Sequence, residues 1–295
     1  MASVLAPLAP LRARLGEALF LRVAGPDGPA KRERIHGTSG PRWFAPDSEI
    51  ARVHGDASMF VGGMRALMLQ SLHPVAMTAV GEHSGYRGDM WGRLARTSSF
   101  LAVTTFGTVP DAERSIAAVR RIHRSITGTM PDGTPYRADD PHLLMWVHIA
   151  EVDSFLRAHQ TYGARPLDQA GRDAYVAQTA LVAGKLGVLD PPTTEAELAE
   201  VLAAYRPELR PTQHAREAVS FLLLKPPLPL PARAPYGMLA AAAVGLMPRW
   251  TRRPLRLPSL PVSERTVVRA LGTLATGTIR WAMTPPPVPD PAPAT

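Results

Sequence analysis

The spacing of apolar side chains along the chain predicts a protein built of helices. Apolar positions recur three and four residues apart in successive segments, and no strand-like alternation of useful length is present. We therefore expect an all-α fold with a globular helical core. The predicted helices cover about residues 11–23, 48–52, 57–72 with a continuation past a proline to 83, 91–106, 110–127, 142–161, 168–186, 194–204, 213–224, 236–246 and 262–282.

The segments between these helices carry the residues that favour turns and loops. Residues 25–47 are rich in Gly, Pro and charge, and predict a surface loop. Residues 130–141 predict a hairpin-like or irregular loop. More than half of the 31 prolines fall after residue 206, so the C-terminal part is expected to wrap around the regular core. The segment from Pro285 onward predicts a disordered or polyproline tail.

The N-terminal helix is expected to be amphipathic and to pack its apolar face on the body of the protein. That face contains Leu11, Leu15, Ala18, Leu19 and Val23. Charged residues interrupt this segment, so it does not resemble a cleaved signal peptide. We expect a cytoplasmic protein, in which peripheral membrane contact through the ends remains open.

The most apolar stretch, residues 59–80, approaches the length of a membrane span. Arg65, Gln70, His73 and Pro74 interrupt it, and such a helix is more typical of the centre of a globular protein. The sequence thus predicts no transmembrane segment.

The amino-acid composition excludes several kinds of catalytic and binding site. The absence of cysteine excludes disulfides, thiolate zinc sites, iron–sulfur clusters and cysteine nucleophiles. The net charge of +8 comes almost wholly from arginine, since Lys31, Lys185 and Lys225 are the three lysines. The basic residues are scattered and interrupted by acids, which argues against a nucleic-acid interface. No HExxH, P-loop, GxSxG or GxGxxG motif is present, so the commonest metalloprotease, NTPase, hydrolase and dinucleotide-binding sites are excluded.

One predicted helix carries a histidine beside an apolar stripe. Arg120 and His123 are three residues apart and share a face with Ile116, Val119 and Ile126. A neutral imidazole on an apolar wall, with a cation one turn away, suits an axial haem ligand whose arginine offsets a propionate. A core histidine with a structural role fits the same pattern, and this helix alone leaves both readings open.

Two further pairs are candidates for chemistry. Arg93 and Thr97 are four residues apart, and this pair could serve a carboxylate, a propionate or a bound oxygen species. Helix capping and surface charge are the alternative. His148 and Glu151 invite a metal or acid–base interpretation, but di-iron bundles need repeated Glu-x-x-His pairs, whereas this chain has the reversed order once.

Read in order, three segments resemble the family of the ER-bound oxygenase MpaB and rubber oxygenase (latex clearing protein), whose members come mostly from actinobacteria. The first is GGMRALMLQSLHPVAMTAVGEHSGYRGDMWGRLARTSSFLAVTTFG, and the second is AVRRIHRSITGTMPDGTPYRADDPHLLMWVHIAEVDSFL. The third is the GVL-PP-T stretch near residue 187. The resemblance covers about residues 50–250.

This resemblance implies a globin-like helical core that binds haem b and cleaves a carbon–carbon double bond of an isoprenoid with dioxygen. It implies that His123 is the proximal iron ligand and that Arg120 is the arginine preceding it. Arg93 and Thr97 match the family's pair of pocket residues, and the resemblance implies that Arg93 also binds the cofactor. Arg96 takes the place of a pocket lysine. The family's pocket glutamate has no match at the right spacing, and Glu82 is the nearest residue.

The sequence therefore predicts a haem-dependent oxygenase that acts with dioxygen on an apolar small molecule. A haem-binding or hydrophobic-ligand-binding protein without turnover is the first alternative, and a helical protein without a cofactor is the second. The expected organisation is an N-terminal helix and loop (1–49), the family-like helical domain (50–250), a C-terminal helical extension (251–284) and the tail (285–295). Neither substrate nor oligomeric state follows from the sequence.

Overall fold

The predicted all-α class is confirmed by a computed structural model, which describes residues 8–83 and 89–284. The helices are α1 Ala9–Ala24, α2 Gly28–Gly37, α3 Glu49–His54, α4 Met59–Gln70, α5 Pro74–His83, α6 Met90–Phe106, α7 Val109–Ser125, α8 Pro141–Tyr162, α9 Gln169–Leu186, α10 Glu195–Tyr205, α11 Gln213–Leu224, α12 Leu230–Leu246, α13 Arg249–Arg252, α14 Pro261–Ser263 and α15 Arg269–Met283. A 3₁₀ turn spans Arg206–Glu208 and a π-helical turn spans Glu264–Val268. The predicted tail lies outside the described residues.

Several helices begin where the sequence places a capping side chain. Thr194 and Glu197 form a complete capping box at the start of α10. The Thr108 hydroxyl accepts from the Asp111 amide at the start of α7, and the Asp140 carboxylate accepts from the His142 amide at the start of α8. These bonds satisfy amides that have no partner inside their own helix, so the boundaries are specified locally.

The centre of the fold is the contact between α4 and α8. Both helices are buried on more than one face, and α12 packs on the same side of α4. Gly62 permits the close approach, because a Cβ there would lie 2.9 Å from Phe155 Cδ1 and 3.1 Å from its Cα. The largest fully buried side chain, Trp146, donates from Nε1 to the Gln70 carbonyl oxygen at 3.2 Å. The apolar stretch is thus a core helix, as its interruptions indicated.

Two predicted loops are helical instead, and these predictions were wrong. Helix α2 lies within the expected loop 25–47, where Pro29 occupies the first turn and only Gly28 and Ile35 are buried. A helix with so little apolar surface gives no periodic signal. Helix α12 begins at Leu230, inside the proline block, and contains Pro235. Pro231 lies in the first turn, where proline is tolerated, whereas Pro235 lies inside the helix and removes one helical hydrogen bond.

The segment after α7 forms a short antiparallel hairpin, one of the two forms the sequence left open. Strand β1 (Thr127–Thr129) pairs with β2 (Pro135–Arg137), and Gly128 lies opposite Tyr136. A Cβ at Gly128 would lie 2.4 Å from the Tyr136 hydroxyl, so the ring covers the glycine. The hairpin fixes Tyr136, which matters for the site below.

The inner face of α1 differs from the predicted one. The helix packs on α15 and α6. Of the predicted face, Leu19 packs against the core and Val23 is half-buried, whereas Leu11, Leu15 and Ala18 are exposed. The contact is made instead around Gly16, where a Cβ would lie 2.4 Å from the Ala282 carbonyl oxygen. Backbone approach at a glycine, rather than the leucine stripe, therefore sets the rotation of α1. In the described part of the chain, no helix has the length and apolar character needed to cross a membrane.

Candidate functional site

Helices α6 and α7 bring Arg93 and His123 to the same end of a helical hairpin. Only Gly107 and Thr108 separate the two helices, which pack on each other. So short a connection makes neighbouring helices antiparallel. Arg93 precedes this connection by about as many residues as His123 follows it. Two of the predicted site residues, far apart in sequence, thus lie at the same level of the hairpin.

Arg93 has a buried guanidinium nitrogen without a partner. Its Nη1 is enclosed, yet it makes no hydrogen bond to any residue that the structure describes. Burial, together with the nearby charge of Arg96, lowers the pKa of Arg93 from its usual value. A buried donor without an acceptor is costly, so such a group marks a place where an anionic ligand group would bind favourably.

The other residues of the predicted constellation are more exposed. Thr97 lies one turn beyond Arg93 at the surface. Arg96 is exposed and forms a 3.1 Å ion pair with Asp89, the residue that caps α6. Arg120 donates from Nη1 to the carbonyl oxygen of Lys185 at 3.4 Å, near the C-terminus of α9. This contact directs Arg120 away from a buried propionate role.

His123 lies in the last turn of α7 and is half-buried. Its ring makes no side-chain hydrogen bond within residues 8–83 and 89–284. Burial lowers its pKa, against a smaller opposing effect of Asp139. A neutral imidazole with an uncommitted nitrogen is the form that binds a metal ion. The neighbouring Ile122, expected on the inner face, is 55% exposed.

A buried polar network lies at the other end of α6. The His54 ring, on α3, places Nδ1 2.8 Å from the Thr105 hydroxyl and Nε2 3.3 Å from the Tyr175 hydroxyl. The Phe155 ring meets the imidazole edge-on at 5.6 Å. Burial lowers the pKa of His54 to about 3 and raises that of Tyr175 well above its usual value, to which the charge of Glu151 adds. Both side chains of the pair are therefore neutral.

His148 and Glu151 are two titratable side chains on α8 that are largely buried. Burial lowers the pKa of His148 to about 4 and raises that of Glu151 to about 7. His148 Nε2 is buried without a hydrogen-bond partner in the described structure. Both residues nevertheless keep part of their surface accessible.

Apolar side chains share the faces that carry these groups. Leu144 and Val147 are half-buried on the side of α8 that presents Glu151. Leu94 and Leu101 are half-buried on the side of α6 that presents Thr105. The polar groups of both helices thus share their faces with half-buried apolar side chains.

Glu82, the residue nearest to the expected pocket base, is engaged elsewhere. It lies half-exposed at the end of α5, where it accepts a hydrogen bond from the Tyr136 hydroxyl. His83 Nε2 is 3.2 Å from the same hydroxyl. Burial and the contact with Glu82 raise the pKa of Tyr136 to about 12. Glu82 thus ties the hairpin to α5.

The di-iron alternative receives no support from the described residues. There, His148 and Glu151 do not belong to any group of three or more potential ligand side chains. Sequence reasoning considered Glu151 together with His148 but missed Tyr175 and its contact with His54. The spacing of His148 and Glu151 was a visible signal, whereas nothing in the sequence connects His54 with Tyr175.

A family comparison identifies the group of proteins to which this architecture belongs. The family described as "ER-bound oxygenase mpaB/B'/Rubber oxygenase, catalytic domain" matches residues 51–278. The chain belongs to this family. The match begins in α3 and ends in α15, so it contains every residue of the site described above.

Individual relatives of this family member add little about activity. Two uncharacterized proteins, from Mycobacterium bovis and Mycobacterium tuberculosis, are each 36% identical to the chain over 83 residues. That segment is 28% of this chain and 32% of each relative, so the match spans about a third of their length. No solved structure matches the chain.

The side chains present fit a haem group in part. The enclosed, partnerless nitrogen of Arg93 provides an anion contact, and the uncommitted His123 imidazole provides a potential iron ligand at the same level of the hairpin. The apolar lining suits a macrocycle. Arg120 departs from the pattern through its contact with α9.

Proposed function

We propose that this protein is a haem b-dependent oxygenase that uses dioxygen on an apolar, isoprenoid or olefinic substrate. The observation that carries the proposal is the family match over residues 51–278, which encloses the site. His123 as the proximal iron ligand, with Arg93 at a propionate, is supported by their common level on the α6–α7 hairpin. Thr97 lies one turn from Arg93, at the mouth of the same region.

The bound haem would supply the redox chemistry with dioxygen. The protein's own contribution is to bind and orient. His123 presents a neutral nitrogen, Arg93 offers a charged donor, and the leucines of α6 and α8 exclude water and contact an apolar substrate. The apolar side chains around these groups favour a hydrocarbon over a polar substrate.

Glu151 supplies a site for a proton near Tyr175. Because burial raises its pKa to about 7, the carboxyl exchanges a proton at neutral pH. A group with such a pKa can take a proton from a substrate and return it. We assign to Glu151 the role of general base that Glu82, held by Tyr136, does not fill.

The test begins with the ultraviolet–visible spectrum of the purified protein, as isolated and after reduction by dithionite. We expect a Soret band that is lost in His123→Ala and retained in the control His214→Ala, whose ring is exposed on α11. Absence of the band, even after haem is added, would refute haem binding. Oxygen consumption with olefinic isoprenoids then tests turnover.

A haem-binding protein without turnover is the second candidate. The engagement of Glu82 with Tyr136 favours it, because the residue nearest to the family's base position is not free to act. A stable complex with dioxygen, with no consumption of oxygen in the presence of olefins, would support this candidate. Consumption that requires Glu151 would support the oxygenase.

A further inference from the structure

Three side chains that could bind a metal ion meet at a place that contains none of the residues proposed to bind haem. They are His73 at the junction of α4 and α5, His142 in the first turn of α8, and Glu208 in the 3₁₀ turn after α10. One potential ligand atom from each lies within 4.8 Å of the other two. Separate segments of the chain thus place two imidazoles and a carboxylate around one point.

Each ring nitrogen of His142 lies close to an oxygen atom that can accept a hydrogen bond. Its Nε2 lies 2.9 and 3.0 Å from the two carboxylate oxygens of Glu208. The Tyr205 hydroxyl donates to the His142 carbonyl oxygen at 2.7 Å, so its oxygen can accept from Nδ1, 3.0 Å away. With its proton on Nδ1, the ring turns a lone pair from Nε2 toward the carboxylate. Two electron-rich groups then face each other and repel. A cation bound by both Nε2 and Glu208 removes this repulsion.

His73 provides the independent observation. Its side chain is only 5% exposed, and its Nε2 has no hydrogen-bond partner among the described residues. The nearest acceptor is Oε2 of Glu208 at 3.7 Å, beyond hydrogen-bond distance. A buried ring nitrogen that is aimed at the cluster and left without a partner is costly unless a ligand binds there.

We propose that His73, His142 and Glu208 bind a divalent transition-metal ion of the Zn²⁺ class. Imidazole nitrogen and carboxylate oxygen are ligands that zinc accepts, and two histidines with one glutamate form a known three-ligand set that leaves a fourth position for water. Tyr205 holds the second nitrogen of His142, as ligand-supporting groups do in metal sites.

The rearrangement required for binding is small. Glu208 is 45% exposed on a short turn, so its carboxylate can move toward both imidazoles. His73 Nδ1 now accepts a long, 3.4 Å hydrogen bond from the Ala76 amide. Coordination through Nε2 transfers the ring proton to Nδ1 and ends that contact. The amide lies in the first turn of α5, where it has no helical partner, so coordination must offset the loss of this weak contact.

The bound ion would fasten three segments of the fold. It would join the α4–α5 junction and the start of α8 to the 3₁₀ turn. The segment just after that turn already contacts the junction, because the Arg210 amide donates to the Leu72 carbonyl oxygen at 3.0 Å. The role is structural, and it is independent of haem. Stabilisation by a ligand of the folded state alone follows from mass action.

The experiment titrates Zn²⁺ into the full chain, purified without a histidine tag and freed of metal, by calorimetry and by thermal unfolding. We expect one saturable ion per chain and an increase of Tm with Zn²⁺. His142→Gln and Glu208→Gln should each weaken binding by roughly tenfold or more. His214→Gln and Glu200→Gln, which remove an exposed histidine and an exposed glutamate outside the cluster, should bind as the parent does.

Folding of the two cluster variants is checked by their Tm in chelator, which should equal that of the parent without metal. This readout does not depend on a Soret band, so it is separate from the proposed function. Absence of saturable binding, or binding that persists in both cluster variants, would overturn the proposal. The cluster would then be an ion pair only.

Discussion

His54 is a buried side chain whose charge state is set by its surroundings. Its ring is enclosed between Thr105, Tyr175 and Phe155, with neutral partners on both nitrogens. Burial without a counter-charge disfavours the imidazolium form. The group is therefore held neutral in the folded protein at every pH above about 3.

This predicts a specific acid sensitivity. Because the pKa of His54 is about 3 in the folded state and about 6.5 in the unfolded state, the unfolded chain binds an extra proton as pH falls below 6.5. The contribution to stability is complete above pH 6.5 and falls by about 1.4 kcal/mol per pH unit toward pH 4. Urea unfolding at pH 7, 6 and 5 measures how the free energy of unfolding changes with pH. In His54→Gln this change should be smaller than in the parent by about 1.4 kcal/mol per pH unit.

The exposed His214 is the matched control for that measurement. Its replacement by Gln should leave the slope of the parent unchanged. A slope in His54→Gln equal to that of the parent would contradict the assignment. Glu151, whose pKa is raised, contributes with the opposite sign below pH 7, so the comparison between variants is the decisive quantity.

The Glu151 carboxyl is expected to titrate near neutral pH. Its carboxyl should lose its proton around pH 7, visible by infrared difference spectroscopy as a protonated carboxyl band that disappears with rising pH. The band should be absent in Glu151→Gln and present in Glu200→Gln. If Glu151 is the base, oxygenase activity rises as pH passes upward through 7, and the variant loses roughly a hundredfold or more. A band unaffected by the substitution would rule the assignment out.

At the scale of elements, the contact between α4 and α8 depends on one of two adjacent glycines. A Cβ at Gly62 would press on Phe155, whereas a Cβ at Gly63 meets nothing within 4 Å. The same apolar helix thus has one tightly packed side and one open side. Only the partner helix distinguishes the two positions, since both read as glycine in a helix.

The matched pair of substitutions follows directly. Gly62→Ala should destabilise the protein by about 1–3 kcal/mol, because it overpacks the helix contact. Gly63→Ala should stabilise it by roughly 0.5–1 kcal/mol, because alanine favours the helix and reduces the freedom of the unfolded chain. Thermal and urea unfolding of the two variants measure the difference. Equal effects would show that the close approach of Phe155 is absent.

Predictions from the sequence were most accurate for the boundaries of some helices, and they were wrong for other elements. The periodic helices α7, α8 and α9 were placed to within a few residues, since their caps and apolar spacing are local. Helix α2 was missed because a single large apolar side chain is buried on it. The face of α1 was wrong because a backbone contact at Gly16, which carries no hydrophobic signal, decided its rotation.

At the scale of the whole molecule, a buried ion pair joins three helices. Arg65 on α4 lies 2.7 Å from Asp153 and donates to the Ser154 hydroxyl at 2.6 Å, both on α8. Its Nε donates to the Leu246 carbonyl oxygen at the end of α12 at 3.0 Å. Arg65 is only 3% exposed, so these bonds replace its lost hydration.

Removing one partner of this pair should be costly. Arg65→Met leaves Asp153 buried with only the exposed Arg157 nearby, 3.3 Å away, and should destabilise the fold by about 3–5 kcal/mol. The double variant Arg65→Met, Asp153→Leu should recover much of that loss, because neither charge is then left buried. A double-mutant cycle by urea unfolding measures the coupling. Additive effects of the two changes would contradict a direct interaction.

The sequence by itself determined the helical class, most helix boundaries, the absence of thiolate chemistry and the family resemblance that the comparison confirmed. These follow from local signals: apolar spacing, capping residues, proline positions and ordered motifs. The roles of Arg93, Thr97, Arg120 and His123 remain predictions drawn from that resemblance. Tertiary structure alone decided which polar groups meet. His54 meets Tyr175, and His73 meets His142 and Glu208, because helix packing joins residues that no spacing in the chain relates.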